Sequence, residues 1–142
     1  MKTTLTLRSQ SWLSFQFSRL WQLHFSDVPT VNPITVRFGR FAKTRLGSIK
    51  RKKVRGSAST ITVTGFFRYP DVPEQVVLAT LAHEITHYLH GFHSDLPQLQ
   101  KYPHEGNIVD KELQKRGLSD VVRFQKKWLT LHWRKVVRRK RA

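Results

Sequence analysis

The chain has 142 residues, enough to bury one core, and 39% of them are hydrophobic, so a single small domain is expected. It contains no cysteine, which excludes a disulfide framework and a cysteine nucleophile and fits a reducing, cytoplasmic setting, nucleoid-associated if the charge is used there. With 26 Lys and Arg against 9 Asp and Glu the formal net charge is +17, a field that attracts polyanions, and no window is apolar for the length of a membrane span.

Residues 1–25 hold no acid and are rich in Ser, Arg and aromatics, the composition of an organelle transit peptide. Leu13, Phe17, Leu20 and Trp21 are nevertheless spaced as the buried stripe of a helix, and that reading is preferred. No continuous apolar stretch follows Lys2, which argues against a secretory signal. Thr35-Val36-Arg37-Phe38 and Ile61-Thr62-Val63-Thr64-Gly65-Phe66 alternate as half-buried strands of a small sheet of about three. Between them lies an acid-free basic cluster that includes Lys50, Arg51, Lys52, Lys53 and Arg55.

Asp71-Val72-Pro73-Glu74 then signals a helix start, with Asp71 as the expected cap. Val77, Leu78, Leu81, Ile85, Tyr88 and Leu89 recur at helical spacing as far as Gly91, a plausible stop. Within this helix sits His83-Glu84-Ile85-Thr86-His87. Residues four apart on a helix share a face, so His83 and His87 can hold one metal ion with Glu84 beside it. In that position a carboxylate can take a proton from a water activated by zinc and return it to a leaving amine, which is the chemistry of a metalloprotease.

Such a site needs a third protein ligand. His90 is seven residues from His83, about 10 Å along one helix, and cannot converge with it. His93 nearly completes the metzincin pattern H-E-x-x-H-x-x-G-x-x-H, but His90 occupies the glycine position and the only methionine is Met1, so a Met-turn is missing. His104, in Tyr102-Pro103-His104-Glu105-Gly106 at the start of a second helix running through Lys115, is preferred. Tyr88, His90, His93 and Tyr102 are the available donors for a developing oxyanion, and the sequence does not choose among them.

Charge is segregated. Residues 71–120 carry eight acids against four bases, while the rest of the chain carries 22 bases against the single acid Asp27. The split suggests that a basic C-terminal helix packs over an acidic catalytic centre and is drawn off by nucleic acid. Lys126, Lys127, Arg134, Lys135, Arg138, Arg139, Lys140 and Arg141, with the cluster at residues 50–55, are the candidate DNA-binding residues. Trp128 and Trp133 could stack on unpaired bases, although Val121, Phe124, Trp128 and Leu131 at helical spacing read first as a core stripe. No helix-turn-helix, zinc-finger or RNP signature points to sequence-specific readout. An anionic membrane surface is the weaker partner, and a monomer is expected.

Four features in order resemble the SprT-like metalloprotease family, which includes the Spartan proteases. They are Arg45-Leu46-Gly47-Ser48-Ile49, the segment Ser59-Thr60-Ile61-Thr62-Val63, the motif helix itself and His104 downstream, together covering residues 28–118. The resemblance implies His83, His87 and His104 as zinc ligands, Glu84 as base, and a zincin-like α+β fold in which residues 60–66 form an exposed edge for an extended substrate. Residues 1–27 then form an N-terminal helix and residues 119–142 a basic helix or tail. In Spartan proteases the substrates are proteins crosslinked to DNA. No counterpart exists here of the cysteine-ligated zinc ribbon found after the domain in many relatives. The expected protein is a zinc endopeptidase associated with DNA; the alternatives are a nucleic-acid-binding module with a structural zinc and a metzincin-like protease using His93.

Overall fold

The computed structural model describes residues 6–139. The chain folds as one small α+β domain of four helices around a three-stranded mixed sheet. Helix α1 (Gln10–His24) begins where the Ser9 hydroxyl accepts from the Trp12 N–H at 3.1 Å, the N-cap arrangement that satisfies a helix's first orphan donors. Leu13 and Leu20 are buried, and Phe17 and Trp21 pack on the core beside them, so the expected stripe is the one that docks.

Strand β1 (Ile34–Phe38) pairs in parallel with β3 (Ser59–Val63), and β2 (Gly47–Lys50) pairs with β3 antiparallel. Val36, Phe38, Ile49, Ile61 and Val63 form the buried face. Thr35, Arg37 and Lys50 point the other way into solvent, as a pleat of period two dictates. The strand order β1-β3-β2 overturns one expectation: residues 60–66 are not an edge. Ile61 and Val63 are fully enclosed, β3 is paired on both sides, and residues 65–68 leave the sheet as a short 3-10 turn. The edge strands are β1 and β2; β1 has its Val36 carbonyl capped by Gln10 Nε2, and β2 has four residues with too little alternation to be read as a strand beforehand.

Helix α2 (Glu74–Leu89) is buried on nearly every side, as expected of a helix whose apolar residues extend around its circumference. Its start differs from expectation. Pro73 is the cap residue and makes no side-chain bond, while Asp71 is claimed by the Arg139 guanidinium. Its stop is at His90 and Gly91, whose φ of +86° favours glycine and whose missing side chain would meet the Pro97 carbonyl oxygen at 2.4 Å.

Helices α3 (Ile108–Lys115) and α4 (Ser119–Val137) complete the domain. Helix α4 belongs to the core, and half of the expected stripe docks: Val121 and Trp128 pack against the core, while the docked face is rotated away from Phe124 and Leu131. Val136 is buried, Gln125 donates to the Val76 carbonyl at 2.9 Å and the Thr80 hydroxyl at 2.8 Å, and the Trp133 ring meets Phe66 and Phe67 edge-on. Phe124 and Leu131 are left exposed at 42% and 64%. Apolar residues cover more than one face of α4, and periodicity alone does not set the rotation; the amide of Gln125 and the indole of Trp133 turn Val122, Leu129 and Val137 inward beside Val121 and Trp128. No helix among the described residues is long and apolar enough to cross a membrane.

Candidate metal centre

One turn of α2 carries His83, Glu84 and His87, with the two imidazoles edge to face and their ring centres 4.7 Å apart. His104 comes back to them on a folded loop. Ser94 Oγ donates to the Tyr88 carbonyl at 2.7 Å, and Asp95 is held by the Gly56 N–H and the Arg51 guanidinium. A 3-10 turn (Glu105–Asn107) then leads into α3, which packs on the domain through Val109 and Leu113. The His104 ring centre is thereby brought 5.2 Å from that of His83 and 4.8 Å from that of His87.

Three histidine nitrogens lie within 4.8 Å of one another, close enough to bind a metal ion. His83 Nε2 and His104 Nε2 approach to 3.1 Å. Two nitrogens about 2.0–2.1 Å from one tetrahedral ion would be about 3.3 Å apart, so their spacing fits shared ligation. Burial, and secondarily the neighbouring imidazole of His104, holds His83 down at about 4. Burial, with His83 and His104 next, holds His87 at about 3. Both rings are therefore neutral at ordinary pH, the form a ligand must have.

Glu84 is buried beside the pair, and burial raises its carboxyl to about 7 against the pull of Arg45. Gly47 makes room for it. A side chain there would meet Thr80 Cγ2 at 2.6 Å and Glu84 Oε2 at 3.2 Å. Nothing in the sequence links Arg45 and Gly47 to Glu84; what places them beside it is the docking of β2 on α2.

His93, the rival ligand, is not in the trio. It lines the same cleft from the other wall, with φ at +53° and its carbonyl accepting from Ser59 Oγ. His90 turns away, its Nε2 lying 3.6 Å from Glu112 Oε1. Of the four oxyanion donors considered, Tyr88 is excluded, because it is fully buried and its hydroxyl serves the backbone of Val31 and Asn32. Tyr102 is exposed and does not line the cleft, which leaves His93 facing it.

The cleft has a volume of about 640 Å³ and runs along β2. No residue of α4 lines it, so that helix does not cover the centre. Nor is the centre acidic: among the described residues Glu84 is the only acid on its walls, beside Arg45, Lys50 and Lys101. Net charge along a segment does not predict the charge of a wall, since most acids of residues 71–120 face elsewhere.

The candidate DNA-binding residues fall into two groups. Lys50, Arg51, Lys53 and Arg55 stand in or next to the cleft, with Lys52 exposed nearby. Lys126, Lys127, Arg134 and Lys135 are exposed on α4, and Arg138 is exposed at its C-cap. Arg51 and Arg139 are already engaged, by Asp95 and Asp71, and Arg139 also lies over the Tyr69 ring. Lys140 and Arg141 lie outside the described residues. Trp133 is spent on packing, with its Nε1 donating to the Lys43 carbonyl at 2.7 Å, while Trp128 is half-buried against His132.

No family model, no curated protein and no solved structure matches this chain. The fold and the site define an α+β domain with a three-histidine candidate metal centre at the floor of a basic cleft.

Proposed function

We propose that the protein is a zinc-dependent endopeptidase of SprT-like type. The observation that carries this reading is the convergence of His83, His87 and His104 with a buried carboxylate, Glu84, that is not itself one of the trio. An all-imidazole trio suits zinc, and a purely structural site has no use for an acid at that place. Zinc, when bound, supplies a Lewis acid and brings the pKa of water toward neutrality.

The chain's own groups do the rest. Glu84, whose carboxyl is raised by burial to about 7 in the metal-free chain, is the group that would accept a proton as general base and return it as an acid. His93, which lines the cleft, is the remaining candidate to donate to a developing oxyanion. Substrate is oriented by β2. The Leu46 carbonyl accepts from the Thr64 N–H, and the register pairs Gly47 with Val63. By the alternation of an antiparallel ladder, the backbone groups of Gly47 and Ile49 then face the open edge, where an extended peptide can pair with them.

The exposed cations of α4 and of residues 50–55 support association with DNA, and proteins held on DNA are the substrates this reading favours. The same cations sustain the second reading, a nucleic-acid-binding module whose metal is structural. The deciding experiment is cleavage of a DNA-binding protein by the zinc-loaded chain, with and without single-stranded DNA, beside Glu84→Gln. Cleavage abolished by Glu84→Gln and by a chelator supports the endopeptidase; an intact substrate with tight DNA binding selects the module.

A further inference from the structure

The walls of the cleft carry a charge pattern that a sequence-tolerant peptidase does not require. Arg45 and Lys50 stand at the two ends of β2, and Lys101 faces them from the loop that leads to His104. All three are exposed, and none makes an ion pair among the described residues. An adjoining hollow beyond His93 adds Arg51, Lys53 and Arg55. Three acids around the cleft are already committed, while Glu105, exposed beside His104, does not line it and makes no ion pair among the described residues. Glu84 is buried at the floor, Asp95 is held by Arg51 and the Gly56 N–H, and Asp110 has Lys126 at 3.7 Å.

We infer that the cleft selects acidic polypeptide segments, with Lys50, Lys101 and Arg45 as the residues that set this preference. The inference rests on the endopeptidase reading and adds the substrate class to it. A strand seated on the open edge of β2 alternates its side chains between the two faces of the sheet. On the outer face its neighbour is Lys50, and toward the loop it is Lys101. Carboxylates flanking the scissile bond meet unpaired cations there, and lysines meet like charge. A peptide is favoured over a nucleic-acid backbone because the free groups of Gly47 and Ile49 offer a ladder that only a polypeptide can complete.

The test uses two fluorogenic peptides that share a central scissile sequence, one flanked by Glu and Asp and the other by Lys. With the zinc-loaded chain, kcat/KM for the acidic peptide is expected to be about tenfold or more higher, since several exposed ion pairs act together. The difference should lie in KM and shrink as salt is raised. Lys50→Glu and Lys101→Glu, both at exposed positions, should each reduce the preference, and the double variant should reverse it. Equal rates for the two peptides overturn the inference while leaving the endopeptidase standing. Anisotropy of the same peptides on Glu84→Gln separates the opposite case: selective binding of the acidic peptide without hydrolysis by the unmutated protein removes the endopeptidase and keeps the cleft. An oligothymidylate that occupies the cleft through Lys50 and Lys101 while neither peptide binds selectively assigns it to nucleic acid and overturns the proposal.

Discussion

Gly47 and Glu84 touch across the junction of β2 and α2, so closely that a Cβ on Gly47 would lie 3.2 Å from Glu84 Oε2 and 2.6 Å from Thr80 Cγ2. Gly47→Ala must therefore push Glu84 or the strand aside. Overpacking of this kind costs about 1–3 kcal/mol, and if Glu84 is the general base of the proposed endopeptidase, displacing it by a fraction of an ångström should lower kcat about tenfold to a hundredfold. Zinc content should be unchanged. Steady-state kinetics beside metal analysis checks both halves, and unchanged kcat would show that the base tolerates the shift.

His104→Ala should abolish stoichiometric zinc, with affinity falling by more than the roughly 10–100-fold typical of groups outside the ligand set. His93→Ala should keep the metal and lose rate. Equilibrium dialysis of the two variants reads the difference directly, and zinc loss in His93→Ala alone would transfer the ligand role to His93.

Glu84 also has a stability signature. Its folded carboxyl titrates at about 7 against 4.5 when free, because burial disfavours the anion. A raised acid contributes stability below the free value, and that contribution is lost as pH rises through the folded value. Metal-free Glu84→Gln should therefore be more stable than the unmutated chain at about pH 8, by on the order of 2 kcal/mol, with a smaller gain near pH 5. Urea midpoints at the two pH values test the sign.

Asp71 runs the other way. The Arg139 guanidinium, first among the causes, holds its carboxyl below the usual range, so its contribution is present above the free value and fades as pH falls through the folded one. Asp71→Asn should lower the thermal midpoint near neutrality, modestly because the pair is partly exposed. The difference from the unmutated chain should close as pH falls below the free carboxylate value and through the lowered folded one. A difference independent of pH would mean that the charge of Asp71 is not what matters.

Removing residues 119–142 should unfold the domain rather than release an inhibited enzyme. That segment supplies Val136, buried to 2%, and the Trp133 ring against Phe66 and Phe67. Trp133→Ala alone should cost about 2–4 kcal/mol in urea unfolding, toward the lower end for large aromatic truncations because the indole is only half-buried. A soluble, cooperatively folded truncation would count against this view.

Local pattern alone determined the elements whose signal lies within a few residues. The stripe of α1, the span of α2, the stop at Gly91 and the shared face of His83 and His87 all follow from helical periodicity and glycine chemistry. His104 was legible as a candidate because two adjacent ligands need a third from another element. Tertiary packing decided what periodicity leaves degenerate. It put β3 in the middle and β2 at the edge, because strand order depends on which faces are enclosed and not on how a strand reads. It set the rotation of α4 through Gln125 and Trp133, keeping Val121 and Trp128 on the core and leaving Phe124 and Leu131 outside. It also turned the walls of the centre basic although the surrounding segment is acidic, since the sign of a field in a cleft is set by the side chains that reach it from distant segments, here Arg45 and Lys50 from β2 and Lys101 from the ligand loop.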